Sequence, residues 1–131
     1  MRQQPYRRAT IILRSGRCDH LHIVCNDPIH CPRFGREGVL LVNVTSIDPL
    51  VPHDSTCVLN VGDHPFIQHP SYIFYRRAEV HGVLTVANKI ADNEYRYGHD
   101  IADHVFQRVL QGFRQSTAVP LKILRFVEHY C

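Results

Sequence analysis

No apolar run in the sequence is long enough to cross a bilayer or to form the core of a secretory leader. The nearest approach at the basic N-terminus covers only residues 9–13. The expectation is a soluble, cytoplasmic protein with no membrane partner. No block of like charge and no polar low-complexity tract is present, so disorder is not expected away from the ends. No repeat or linker divides the 131 residues, a length that suits a single domain over 1–131. Five cysteines are an odd number, which argues against a secreted disulfide framework and for reduced thiols. A Gly-rich phosphate loop and a paired-carboxylate motif are also missing.

What is present is ordinary in bulk, 44% hydrophobic and 21% charged. The net charge is +3 with the ten histidines neutral. That balance tolerates RNA, DNA or an acidic partner without establishing any of them. A basic arm, 1–9, leads into a short strand over 10–13 that Ser15-Gly16 stops. "DHLHIVCND" predicts a second strand with His20, His22 and Val24 on one face and Leu21, Ile23 and Cys25 on the other. "NDPIHCPRFGREG" is dense in turn formers and predicts a long loop. "VLLVNVTS", 39–46, is apolar and β-branched, as a central strand covered on both faces would be.

Pro65 and Pro70 exclude a regular strand across "DHPFIQHP", so the next long strand, "SYIFYRRAEV", begins at Ser71. "VLTVANKI" either extends the sheet or covers it. The period then changes. Asp100 suits an N-cap before the stripe Ile101, Val105, Phe106, Val109, Leu110 and Phe113, and Pro120 suits the first turn of a second helix. The predicted architecture is mainly β, in the α+β class, with a helical C-terminal part over about 99–129.

Three fragments carry a family resemblance: "HIVCND", "LLVNVTS" and "SYIFYRRAEV", followed by the helix "IADHVFQRVLQGF". In this order they resemble the PemK/MazF-like toxins of the Kid/CcdB fold, over most of 10–112. The resemblance implies a small, bent antiparallel barrel of SH3-like type, usually homodimeric, that cleaves single-stranded RNA without metal or other cofactor. It also implies an antitoxin protein as partner. The family's hydroxyl at the end of the third strand falls on Thr45 and Ser46. Its arginine near the second strand has no clean counterpart: the matching position is Asp19, with His20 next to it and Arg17 two residues earlier. Its Gln-x-Arg after the later strand is replaced by Arg76-Arg77-Ala78-Glu79.

Metal-free RNA cleavage needs a base for the 2′-hydroxyl proton, a cation for the phosphorane charge and an acid for the leaving oxygen. His20 and His22 suit the proton roles, with Arg17 close by and Arg76 or Arg77 from another strand. The same histidines also fit a plain solvated strand face. His64 and His69 sit on a proline-bounded turn from which they could reach substrate, whereas Asp63 beside them equally fits a turn cap. Arg76 and Arg77 follow aromatics and could contact phosphate, although adjacent strand residues point to opposite faces. Cys18, His20, His22, Cys25, His30 and Cys31 raise zinc as a rival, but without the close pairs of a zinc motif. The functional expectation is thus a toxin-like endoribonuclease using Arg17, His20, His22, Thr45 and Ser46, with His64, His69, Arg76 and Arg77 binding RNA. The alternative is a non-catalytic binding protein of the same fold.

Overall fold

The computed structural model describes residues 4–32 and 35–131. Residues 1–3 of the expected arm and 33–34 of the expected loop lie outside the described residues. The fold is α+β; the described residues form an eight-stranded antiparallel sheet and three α-helices. The strands are β1 (Thr10–Ser15), β2 (Cys18–Val24), β3 (Ile29–Cys31), β4 (Arg36–Ser46), β5 (Val58–Leu59), β6 (Ser71–Ile73), β7 (Glu79–Gly82) and β8 (Tyr95–Tyr97). The helices are α1 (Val83–Ala91), α2 (Asp103–Gln115) and α3 (Leu121–Tyr130). The main path runs β5-β6-β4-β2-β1-β8, with no pairing between its two end strands, so the sheet is open.

β4 is the spine. β3 and then β2 pair along one of its edges, and β7 and β6 pair along the other. Each flanking pair is in effect one strand interrupted once. At the β2–β3 break the Asn26 side chain supplies the missing ladder bonds. Its Oδ1 accepts from the Leu40 N–H at 2.8 Å and its Nδ2 donates to the Gly38 carbonyl at 3.2 Å. Gly38 is no breaker here; it lies where β3 and β7 close on both edges, and a Cβ would stand 2.8 Å from Val80 Cγ1. The loop expected over 26–38 therefore contains β3 and the start of β4.

The expected "SYIFYRRAEV" strand is broken by a 3-10 turn, Tyr75–Arg77, between β6 and β7. Phe74 N–H bonds the Asn43 carbonyl at 2.9 Å, which pins the start of that turn to β4. "VLTVANKI" forms α1 rather than a strand, burying Val83, Val86 and Ala87.

Alternation along β2 and β4 divides the apolar side chains between two cores. Leu21, Ile23, Leu40, Val42 and Val44 face α2 and α3, where Val105, Phe106, Val109, Phe113, Ile123 and Phe126 are buried. Each such side chain contributes about 1.5–3 kcal/mol by leaving water. Ile11, Val24, Val39 and Leu41 face the other way, under Val83 and Val86 of α1. α2 starts without a side-chain cap; Asp100 instead accepts from the Tyr6 hydroxyl at 2.6 Å. Residues 7–9 before β1 are packed rather than free: Arg8 N–H and Ala9 C=O pair with Val24, and Arg7 lies 4.6 Å over the Phe106 ring.

Candidate functional site

α1 covers only part of the second sheet face. Along β2 the residues that follow its apolar pattern outward from Val24 are His22 and His20. Along β4, those beyond Leu41 are Asn43 and Thr45. Because His22 and Asn43 are register partners, their side chains stand together on this face. Leu13 and His20 are likewise paired, on β1 and β2.

Two adjoining hollows of about 700 Å³ each open here and share His22, Asn43 and Arg77. One extends past His20 and Leu13 to the end of α1. The other passes His81 of β7 and reaches the first turn of α3. Together they form a groove rimmed by Arg14, Arg36, Arg76, Arg77, Lys89 and Lys122 against Glu79 and Glu94. Lys89 pairs with Glu94 at 3.1 Å, leaving the surplus of positive charge around Arg36, Arg76 and Arg77. The 3-10 turn is what brings both arginines to one hollow, since the strand alternation that would separate them is absent. The Arg77 guanidinium also lies 4.9 Å over the Phe74 ring.

At the floor of this groove, His22 Nδ1 and Asn43 Oδ1 are buried and have no hydrogen-bond partner. Native buried polar atoms are nearly always paired, and an orphan costs about 1–3 kcal/mol. Burial pulls the His22 pKa down to about 4, opposed by a hydrogen-bonding contact of the ring with the His20 backbone and reinforced by the neighbouring His81 and His20 side chains. Burial also lowers His81, against the pull of Glu79 and together with Arg36. His22 is therefore a neutral ring near pH 7, able to accept a proton.

Two further oxygens without a hydrogen bond, Asp19 Oδ1, which has Arg14 Nη1 at 3.8 Å, and Thr45 Oγ1, lie farther along the same strands. They line a third hollow of about 650 Å³ with His20, Ser46, Phe66, Gln68 and His69. Asp19 Oδ2 accepts from Arg96 at 2.9 Å, and that bond holds the carboxyl below its ordinary range.

The expected site residues are thus distributed unevenly. His20, His22, Arg76 and Arg77 line the groove; Thr45, Ser46 and His69 line the third hollow, which His20 also reaches. Arg17 sits on the exposed turn between β1 and β2, outside all three. His64 does not project from a rim. It is 3% exposed, its Nε2 contacts the His99 carbonyl at 2.6 Å, and its Nδ1 accepts from the Phe66 N–H at 3.0 Å. A carbonyl only accepts and an amide N–H only donates, so the ring is neutral with its proton on Nε2.

Sequence reasoning missed Asn43, His81, Arg36 and Lys89. The signal for Asn43 was an amide in the middle of an apolar strand; His81, Arg36 and Lys89 had no local signal. Among the described residues no group of three or more His, Cys, Asp or Glu side chains is placed to hold a metal ion. No helix of the described residues is long and apolar enough to cross a membrane.

Comparison with models of protein families, with curated proteins and with solved structures finds no match to this chain.

Proposed function

We propose that the protein is a metal-independent endoribonuclease that binds single-stranded RNA in the basic groove and cleaves it at His22. The observation that carries this is the pair of unpartnered polar atoms, His22 Nδ1 and Asn43 Oδ1, at the floor of a groove lined with arginine. Such a floor is costly to the fold and useful to a substrate with hydroxyl and phosphate groups. In the proposed reaction neutral His22 takes the proton of a 2′-hydroxyl, the 2′-oxygen attacks the adjacent phosphorus, and a 2′,3′-cyclic phosphate forms. Arg77 offsets the charge on the equatorial oxygens. His20, two residues along the same strand face, gives a proton to the departing 5′-oxygen. A base with a pKa of about 4 is weak, but a phosphodiester in the groove favours the imidazolium and raises that value in the complex.

The wider proposal is a toxin-like endoribonuclease of a toxin–antitoxin module, a divergent relative of the PemK/MazF-like proteins. On this proposal the open sheet is a variant of the SH3-like barrel. An acidic, extended antitoxin segment would fill the groove, and the chain would act as a homodimer. The second reading, a non-catalytic binding protein of the same fold, is favoured by one observation: Arg17, nearest to the family's arginine, lies outside the groove.

The test is incubation of purified protein with a long natural RNA in excess EDTA, with 5′ ends mapped by primer extension. Discrete cuts are expected, and His22→Ala abolishes them without changing the circular dichroism spectrum. Folded protein that binds RNA but never cuts it would move the conclusion to the binding reading.

A further inference from the structure

The ladder between β2 and β4 stops at Leu21–Val44. β2 nevertheless continues to pair with β1 as far as Cys18, and β4 with β6 as far as Ser46. The two strands therefore part like a fork, and the hollow of about 650 Å³ fills the gap, a volume within the range of small-molecule sites. The fourth wall is the segment over 65–69. It is held firmly: Ile67 is buried with its N–H on the His64 carbonyl at 3.0 Å, and the His64 ring is clamped between Phe66 N–H and the His99 carbonyl. Upstream, Asp63 Oδ2 accepts from the Asn60 N–H at 2.8 Å, and downstream the Pro70 carbonyl accepts from Ile47 N–H at 2.9 Å. A cleft with walls this well fixed loses little conformational freedom when a ligand enters.

The chemistry of the walls is mixed. Val44 and Ile67 give an apolar floor and Phe66, half-buried, offers a ring. Against these stand two oxygens without hydrogen-bond partners, Thr45 Oγ1 and Asp19 Oδ1, the latter facing Arg14 Nη1 at 3.8 Å, a distance that leaves its lone pairs open to a closer donor. A flat ligand with an apolar face and hydrogen-bonding edges satisfies both kinds of wall. Asp19 is ionised, because Arg96 and Arg14 hold it below its ordinary range, and an ionised carboxylate can only accept.

We infer that this cleft is a base-reading subsite. It receives one nucleobase of the single strand bound in the groove, stacked against Phe66, and it selects bases that carry an exocyclic amino group. The amino group of cytosine or adenine donates to Asp19 Oδ1, whereas the corresponding uracil edge presents a carbonyl oxygen that repels it. Thr45, which alternation places on the opposite face of the sheet from Asp19, reaches the base from across the fork, and its hydroxyl both donates and accepts. The cleft meets the groove at His20, which lines both, so the seated base lies next to the scissile position. The inference rests on the RNA-binding reading of the groove but on a different pair of unpartnered atoms.

The experiment is fluorescence anisotropy of labelled oligocytidylate, oligoadenylate and oligouridylate in EDTA, with wild type, Asp19→Asn, Phe66→Leu and His22→Ala. Wild type should bind the cytidine and adenosine strands about tenfold more tightly than the uridine strand, the scale of one good base-edge contact. Asp19→Asn supplies an amide that can donate, so the preference should vanish or reverse. Phe66→Leu should weaken binding of oligocytidylate by about tenfold through lost stacking. His22→Ala should lose cleavage and keep the base order. Binding of all three strands with equal affinity, a preference that survives in Asp19→Asn, or undiminished binding by Phe66→Leu overturns the subsite and leaves the groove standing. Failure of folded wild-type protein to bind any strand overturns both.

Discussion

Acidification should weaken the fold well before its carboxylates protonate, and His22 sets the scale. Its pKa falls from the ordinary 6.5 to about 4 on folding, because the buried face disfavours the imidazolium. The unfolded chain therefore binds this proton more readily than the native one between those values. The stability tied to His22 is fully present above about pH 6.5 and is lost progressively as pH falls toward 4. At about pH 5 the difference in protonation is worth about 2 kcal/mol relative to pH 7.5. Against a typical total of about 5–15 kcal/mol that is a large share. His81 and His64 are lowered by burial too and add loss of the same sign. Asp19 and Asp54 are also lowered, but they act only near and below the ordinary carboxylate value of 3.8. The window between pH 7 and pH 5 thus belongs to the buried histidines.

The assay is urea unfolding followed by far-ultraviolet circular dichroism at several pH values, with the slope of free energy against urea checked for constancy. Wild type should lose about 2 kcal/mol or more between pH 7.5 and pH 5. His22→Leu removes the titrating group and should flatten the profile by about 2 kcal/mol over that range. A wild-type profile that stays level down to pH 5, or a variant profile parallel to the wild type, would refute the claim that His22 is buried neutral.

Two other outcomes follow from single residues. Gly112 sits in α2 where a Cβ would overlap the Tyr75 hydroxyl and stand 2.5 Å from its Cζ. Gly112→Ala gains about 1 kcal/mol of helix propensity. It also forces out a buried ring whose hydroxyl donates to the Val109 carbonyl at 2.7 Å, so a net loss of about 2 kcal/mol is expected by urea unfolding. The loss should shrink in a Tyr75→Phe background, and a stabilised single variant would contradict the packing described. In the groove, Arg77→Ala should weaken binding of every RNA sequence to a similar degree and reduce the slope of log affinity against log salt by about 0.7. An unchanged slope in an anisotropy titration would remove Arg77 from the phosphate path.

Much of the sheet and both C-terminal helices were legible because their patterns are self-sufficient. β1, β2 and the second half of β4 alternate or run apolar, and α2 shows its buried stripe without help from neighbours. β3 and β8 were not, since strands of three residues exist only through pairing, β3 with β4 and β8 with β1. α1 was ambiguous because its β-branched start, Val83, Thr85 and Val86, reads as strand, whereas tertiary burial of Val83, Val86 and Ala87 decides for helix. The break in "SYIFYRRAEV" had no local signal at all. It follows from the way β4 takes β6 and β7 in succession along one edge, and this is also what moves Arg76 and Arg77 from opposite faces into one hollow.

The two asparagines of the apolar strands mark where sequence reasoning about the site has to stop. Asn26 and Asn43 look alike in one dimension, each an amide within or at the end of an apolar run. Asn26 closes a gap in the ladder with both of its polar atoms and is 1% exposed. The Asn-Asp pair that contributes to the family resemblance is therefore accounted for by structure, with Asp27 accepting from the Arg7 N–H at 3.0 Å. Asn43 has the opposite character: its carbonyl anchors the turn that carries the arginines, while its side-chain oxygen is left without a partner beside His22. A polar residue in a strand signals that something must satisfy it, and only the fold tells whether that partner comes from within the chain or from a ligand. By that criterion Asn26 belongs to stability, whereas Asn43 and His22 are the pair that the fold leaves unsatisfied at the floor of the groove.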